Sequence, residues 1–480
     1  VSTGYDIDNS CKFEADNTES LTRSAQDGGD RKKVTISFWT KRTELTSSYE
    51  MLLMAGVNDA KYSSLGFGTS NEINFHYYNS GSYPYNFATN KLFRDTSAWY
   101  HIVVAMDTTQ ATDTNRVKIY VNGVQETSFS TAVYPSQDID TPFNNDSATY
   151  PMEIGNDSVI SIGGIAYSGY ITEFNFIDGS QLTPTSFGEF DDDTGIWIPK
   201  KYTGSYGTNG FYLDFETSGS MGADSSGNSN NFSLVNIAAI DQSTDTPTNN
   251  FCTLNPLHMY SGTANNNPSF KEGATRFTTE RSGYWATALA NIGLTSGKWY
   301  FEAQPGTSDS HITDIGYGDE SDINDWAQDQ VDTNGFPGET GSNSIGYLGS
   351  DTSSSYGNIW LGTGSTSNVN ANYTISNIVG VAIDADNGYV YFAKDNTYVN
   401  SGNPGSGASG TGGYKFEDTT TTRTGTVFPS VSGYYHTAAT VINVNFGGYT
   451  TITISSAATD ANGYGTFEYA PPSGYYAICT

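Results

Sequence analysis

The reading of the fold turns on residues 99–106 (WYHIVVAM) and 116–123 (RVKIYVNG). Both stretches are rich in β-branched and aromatic residues, which suits a pleated, largely buried surface better than a helix. The second ends in Asn122-Gly123, a pair favoured in type I′ hairpin turns because both central residues of that turn need positive φ. A strand returning through 124–129 is expected to pair with 116–121. Further strand-like segments lie on either side, at 34–39 (VTISFW), 72–78 (EINFHYY) and 169–177 (GYITEFNFI). The second half continues the style at 297–303 (GKWYFEA), 315–318, 379–383, 384–392 and 441–446 (VINVNF), with polar turn clusters between. The expected class is all-β, built as two tandem antiparallel β-sandwiches of the jelly-roll kind.

Bulk properties agree with that class. A chain of 480 residues exceeds what one hydrophobic core usually serves, so two domains are expected. Aromatics make up 14%, including 34 Tyr and 25 Phe, which argues for folded cores, while 52 Gly favour turns over helices. Acidic side chains outnumber basic ones by 51 to 21, a net charge of -30 that repels phosphate backbones and anionic headgroups. Nucleic acid and membrane insertion are therefore not expected. Three widely spaced cysteines, Cys11, Cys252 and Cys479, form no disulfide framework and no CxxC zinc element. No stretch approaches a membrane span, and the chain is expected to be soluble.

Composition divides the chain into 1–202, a polar connection over 203–256, and 257–480. Within the connection, 211–215 and 232–235 could each lie as a short strand against a neighbouring domain. Residues 401–413 (SGNPGSGASGTGG) are expected as a solvent-exposed flexible loop.

Three segments of the first half, 36–42 (ISFWTKR), 99–104 with 117–123, and 170–174 (YITEF), resemble the core strands of the laminin-G, concanavalin A-like jelly roll. The second half is similar to a SPRY-type sandwich through 297–302, 315–318, 378–384 with 388–392, 428–431 and 444–447. The tandem resembles structural proteins of tailed, marine-type phages. Residues 176–179 (FIDG), 193–202 (DTGIWIPKKY), 208–213 (TNGFYL), 224–228 (DSSGN) and 247–256 (PTNNFCTLNP) carry that likeness through the connection. The resemblance implies a virion protein on an extracellular surface, part of a tail fibre or other host-facing appendage. Its implied partners are other virion proteins and a host surface glycan or receptor, in a symmetric homo-oligomer with a trimer favoured. A secreted glycan-active enzyme with a divergent groove and a purely architectural capsid decoration protein are the alternatives.

The residues point away from catalysis. Glycosidases on such sandwiches carry alternating carboxylates along one strand, and no E-x-D-x-E pattern occurs here. The acidic runs 189–193 (EFDDD) and 319–322 (DESD) sit among turn formers and read as solvated loops, with calcium as the alternative. Residues 384–388 (DADNG) begin like a calcium loop but lack its closing Glu, so a hairpin turn fits better. The five histidines are scattered, and no nucleophile elbow is present. No cofactor is implied. Recognition remains, and tyrosine suits it by offering a flat apolar face and a polar edge. The candidate glycan or receptor contacts are Tyr77, Tyr78, Tyr83 and Tyr85 in the first domain and Trp326, Tyr434, Tyr435 and His436 in the second. Ordinary strand or rim packing is the favoured reading of each of these residues, since sandwiches use tyrosine in those roles too.

Overall fold

The computed structural model describes residues 4–24, 28–144, 151–158, 162–163, 165–261, 267–280, 283–306, 312–319, 322, 335–339, 342–350, 356–362, 366–416, 426–435 and 438–480. It divides into two units, Val1–Asn250 and Phe251–Thr480. The chain is all-β, as expected, and its described helical elements are short 3-10 turns.

In the first unit one sheet runs through Val124–Gln125, Val117–Val121, Trp99–Asp107, Lys33–Arg42, Gly169–Asp178, Ser10–Phe13 and Gln242–Ser243, with Phe211–Leu213 also on Gly169–Asp178. The other orders Phe129–Val133, Ser82–Leu92, Glu72–Asn79, Lys61–Phe67, Glu50–Asn58, Met152–Ile154, Ser20–Arg23 and Ser233–Val235. Inward residues of both sheets share one core, which includes Phe38, Ile102 and Phe174 from the first and Leu65, Phe75 and Tyr85 from the second. Trp99–Asp107 is buried on both faces, which is why its sequence is a continuous apolar run. Ile102, Val104 and Met106 enter the core, while Val103 and Ala105 pack under Ile177 and Phe187.

Asn122 and Gly123 both have positive φ, 47° and 79°, as the expected turn requires. The returning strand is shorter than expected. Only Val124–Gln125 pairs back, and Phe129–Val133 joins Ser82–Leu92 in the other sheet.

Residues 203–250, expected as a connection, are instead built into the first unit. Phe211–Leu213 pairs with Gly169–Asp178, Ser233–Val235 with Ser20–Arg23, and Gln242–Ser243 with Ser10–Phe13. The segment's polarity is accommodated because its side chains satisfy its own backbone. The Asp224 carboxylate, for example, accepts from the Tyr212, Ser226 and Asn230 amides. Residues 251–256 open the second unit.

In the second unit one sheet runs through Leu254–Ser261, Trp285–Ala290, Phe428–Tyr434, Ile312–Gly318, Ile345–Ser350, Asn358–Leu361 and Thr366–Asn368. The other orders Ser269–Lys271, Arg276–Thr278, Val441–Asn445, Lys298–Pro305, Val379–Asp384, Tyr389–Lys394 and Thr397–Tyr398. Phe301, Ile315, Val381, Phe392 and Val444 lie in their common core. The C-terminal segment covers the outer side of Lys298–Pro305, where buried Glu302 accepts the Glu468 and Tyr469 amides. Residues 401–413 are folded against this sheet rather than standing free. Tyr475 donates to the Pro404 carbonyl, and Gly410 has φ +56° where a Cβ would collide with the Tyr389 ring. Glycine there permits close packing, so a low-complexity composition does not make this loop free of the fold.

Candidate functional site

The outer face of the first unit's larger sheet carries an aromatic cluster. Alternation sends Phe75 and Tyr77 of Glu72–Asn79 into the core and leaves His76 and Tyr78 on the outside. Tyr62 lies directly opposite Tyr78 on the neighbouring strand, and Ser64 opposite His76. On the other side, Asn86 is opposite His76. Tyr83 joins the same face because the pairing with Glu72–Asn79 shifts register between Tyr77 and Asn79. This bulge turns Tyr83 outward onto Tyr78 and His76, with ring centroids 5.2 and 5.5 Å away. Tyr62 completes the cluster at 5.6 Å from Tyr78 and 5.5 Å from His76.

The polar atoms among these rings are held in a definite arrangement. His76 Nδ1 donates to Asn74 Oδ1 at 2.6 Å, which leaves Nε2 to accept from Ser64 Oγ at 3.2 Å. Burial lowers the His76 pKa to about 4, so the ring is neutral near pH 7. Burial, with the neighbouring phenols of Tyr83 and Tyr78, raises Tyr62 to about 12. Asn86 Oδ1 is buried on this face without a hydrogen-bond partner among the described residues. Tyr83 is 46% exposed and forms the accessible edge.

Of the residues singled out from sequence, Tyr78 and Tyr83 are thus brought together on one face. Tyr77 and Tyr85 face the other way and are buried in the core, where Tyr85 stacks on Phe75 and bonds to Ser63, so neither presents a surface for contact. Tyr434 is half-buried against Trp285, and Tyr435 is half-buried beside it. Trp326 and His436 lie outside the described residues. Tyr62, His76 and Asn86 were not singled out, because their place in the cluster depends on cross-strand register rather than on sequence proximity.

His101, Ser37 and Trp197 superficially resemble a nucleophile and its base. Trp197 Nε1, which can only donate, bonds to His101 Nδ1 at 3.0 Å. The ring proton is therefore on Nε2, facing Ser37 Oγ at 2.9 Å, and in this tautomer His101 cannot take the serine proton. The acidic run at 189–193 forms a turn in which Asp191 Oδ1 accepts the Asp193 and Thr194 amides. Asp384 is occupied by Lys298 and Asn387. Among the described residues no group of three or more His, Cys, Asp or Glu is placed to hold a metal ion.

Residues 15–186 match the family model of the concanavalin A-like lectin/glucanases superfamily, and residues 298–448 match that of the SPRY domain. Comparison with curated proteins returns no match. Among solved structures, the SPRY domain of human HERC1 is 13% identical, covering 42% of this chain and 99% of its own length, with a TM-score of 0.27. A Bacteroides ovatus protein provisionally named as carbohydrate-binding is 14% identical, covering 48% and 58%, with a TM-score of 0.35. A SAP-like pentraxin from Limulus polyphemus is 15% identical, covering 38% and 80%, with a TM-score of 0.26. The chain thus carries a concanavalin A-like, laminin-G-type domain followed in tandem by a SPRY domain, folds that fit a binding role.

Proposed function

We propose that this chain is a non-catalytic glycan-binding component of a virus particle, displayed on its outer surface in a tail fibre or another host-facing appendage and assembled as a homo-oligomer. The observation that carries the binding reading is the outward cluster of Tyr62, His76, Tyr78 and Tyr83, with Asn86 Oδ1 beside it lacking a hydrogen-bond partner among the described residues. An unsatisfied buried acceptor costs about 1–3 kcal/mol, part of which a sugar hydroxyl recovers by donating to it. The phenol rings supply flat apolar surfaces for the sugar's C–H face. With His76 neutral and the chain strongly acidic, neutral glycans are favoured over sulfated or carboxylated ones. The virion assignment is supported by the sequence likeness that runs from residue 176 to 256.

Incubation of the purified chain with a panel of algal and bacterial polysaccharides tests this reading. Retention without release of reducing sugar, lost in the Tyr78→Ala/Tyr83→Ala variant, is expected. Release of reducing sugar, or undiminished retention by that variant, overturns it. Antibody labelling of purified particles tests the virion assignment separately, and unlabelled particles would remove it.

A further inference from the structure

The outer face of the second unit's seven-stranded sheet holds three buried polar side chains that the fold leaves unused. Asp314 stands on Ile312–Gly318, Ser430 on Phe428–Tyr434 and Trp360 on Asn358–Leu361. Register puts Ser430 opposite Gly316, Gly316 opposite Gly346, and Gly346 opposite Trp360. The two glycines are therefore a bare strip of sheet between the hydroxyl and the indole. Asp314, two positions from Gly316 and on the same face, lays its carboxyl over Gly346, where a Cβ would collide with Oδ1. Both Asp314 oxygens, Ser430 Oγ and Trp360 Nε1 are buried without a hydrogen-bond partner among the described residues. Asp314 and Ser430 are fully buried, and Trp360 is half-buried at the edge. Phe336 packs over this face, with its ring centroid 4.7 Å from Trp285 and 5.5 Å from Trp360.

Native proteins leave few buried polar atoms unsatisfied, and several along one strip of a sheet define a complementary ligand. The two carboxyl oxygens call for donors, the indole N–H for an acceptor, and the serine hydroxyl for either. A buried carboxylate is offset best by a cation, and the aromatic rings around it favour one too. We propose that this strip binds a hydroxylated amine, with the ammonium group donating to Asp314, one hydroxyl accepting from Trp360 Nε1 and, in a ligand with more than one, another reaching Ser430 Oγ three strands away. A 2-amino sugar with a free amine has this pattern. Burial holds the Asp314 carboxyl well above the ordinary carboxylate range, against the opposing pull of the Ile315 amide, and an ammonium beside it favours the ionised form. The site is independent of the aromatic face on the first unit.

Calorimetric titration at pH 7 of the full chain carrying Tyr78→Ala and Tyr83→Ala, which removes the first unit's proposed glycan contacts, with D-glucosamine, with ethanolamine as the minimal amino alcohol, and with D-glucose and N-acetyl-D-glucosamine as controls tests the proposal. Saturable binding is expected for both amines and for neither control. On that background, affinity should fall about tenfold or more in Asp314→Asn and in Trp360→Phe. Trp360→Phe keeps the ring packing, and a thermal melt matching the parent separates lost binding from lost structure. Absence of saturable amine binding, equal binding of a control, or unchanged affinity in both variants overturns the proposal.

Discussion

Tyr83 and Tyr85 are two positions apart on one strand yet stand on opposite faces of the sheet, Tyr83 against His76 and Tyr78 outside and Tyr85 against Phe75 in the core. In a regular strand residues two apart share a face. The register shift beside them accounts for the exception. The two substitutions should therefore separate function from stability. Tyr85→Ala should destabilise the first unit by about 3–5 kcal/mol, as expected for a buried aromatic. Tyr83→Ala should change stability by less than about 0.5 kcal/mol while abolishing polysaccharide retention. Denaturant unfolding and a pull-down on the same preparations check both.

This bulge marks the limit of what the sequence discloses. The all-β class was legible in the alternation of 72–78 and in Asn122-Gly123, since both depend on neighbours in the chain. The outward set of Tyr62, His76, Tyr78, Tyr83 and Asn86 depends on how three strands pair, which local pattern does not encode. The run YYNSGSYPY therefore mixed the core residues Tyr77 and Tyr85 with Tyr78 and Tyr83, which share the outer face. Residues 203–250 looked like a connection because Asp224 and its neighbours satisfy backbone groups with side chains, leaving few apolar residues to signal a strand. Asp314, lying between Thr313 and Ile315, gave no sign of being buried and unpaired.

The Lys41–Asp245 pair ties that polar segment into the first sandwich. Both side chains are buried, with Nζ 2.8 Å from Oδ2, 2.7 Å from Asn250 Oδ1, and Trp99 Nε1 3.1 Å from the other Asp245 oxygen. Lys41→Met strands a buried carboxylate and should cost about 3–5 kcal/mol. Adding Asp245→Asn removes the charge and keeps an acceptor for Trp99, so the double variant should recover most of the loss. A double-mutant cycle by urea unfolding reads the coupling directly.

Glu173 makes the stability of the first unit depend on pH. Its backbone has φ +52° beside a register shift, and its buried carboxyl accepts from Tyr212 Oη at 2.5 Å and Tyr5 Oη at 3.1 Å. Burial raises its pKa from 4.5 to about 7, opposed by those hydrogen bonds. The folded state thus holds a proton that the unfolded chain gives up. This stabilisation is complete below about pH 4.5 and is lost as pH rises through about 7, for a contribution on the order of 3 kcal/mol. The urea midpoint should fall between pH 5 and 8, and Glu173→Gln should make that decline shallower. Glu19, raised to about 7 by burial, keeps it from vanishing. A Glu173→Gln profile parallel to the parent's would contradict this assignment.

Gly123 occupies a position that no other residue fills without strain. Its φ of +79° belongs to the type I′ turn, and a Cβ there would collide with the Trp197 ring. That ring donates to His101, whose other nitrogen faces Ser37, so displacing it disturbs a fully buried polar chain. Gly123→Ala should destabilise the first unit by about 1–3 kcal/mol through backbone strain and overpacking together. Asn122→Asp is the contrasting case. It keeps the acceptor that Asn122 Oδ1 offers to the His101 amide at 2.8 Å, and aspartate tolerates positive φ. It should therefore stay within about 0.5 kcal/mol of the parent. Urea unfolding of both variants decides the matter, and near-UV circular dichroism should change in Gly123→Ala alone.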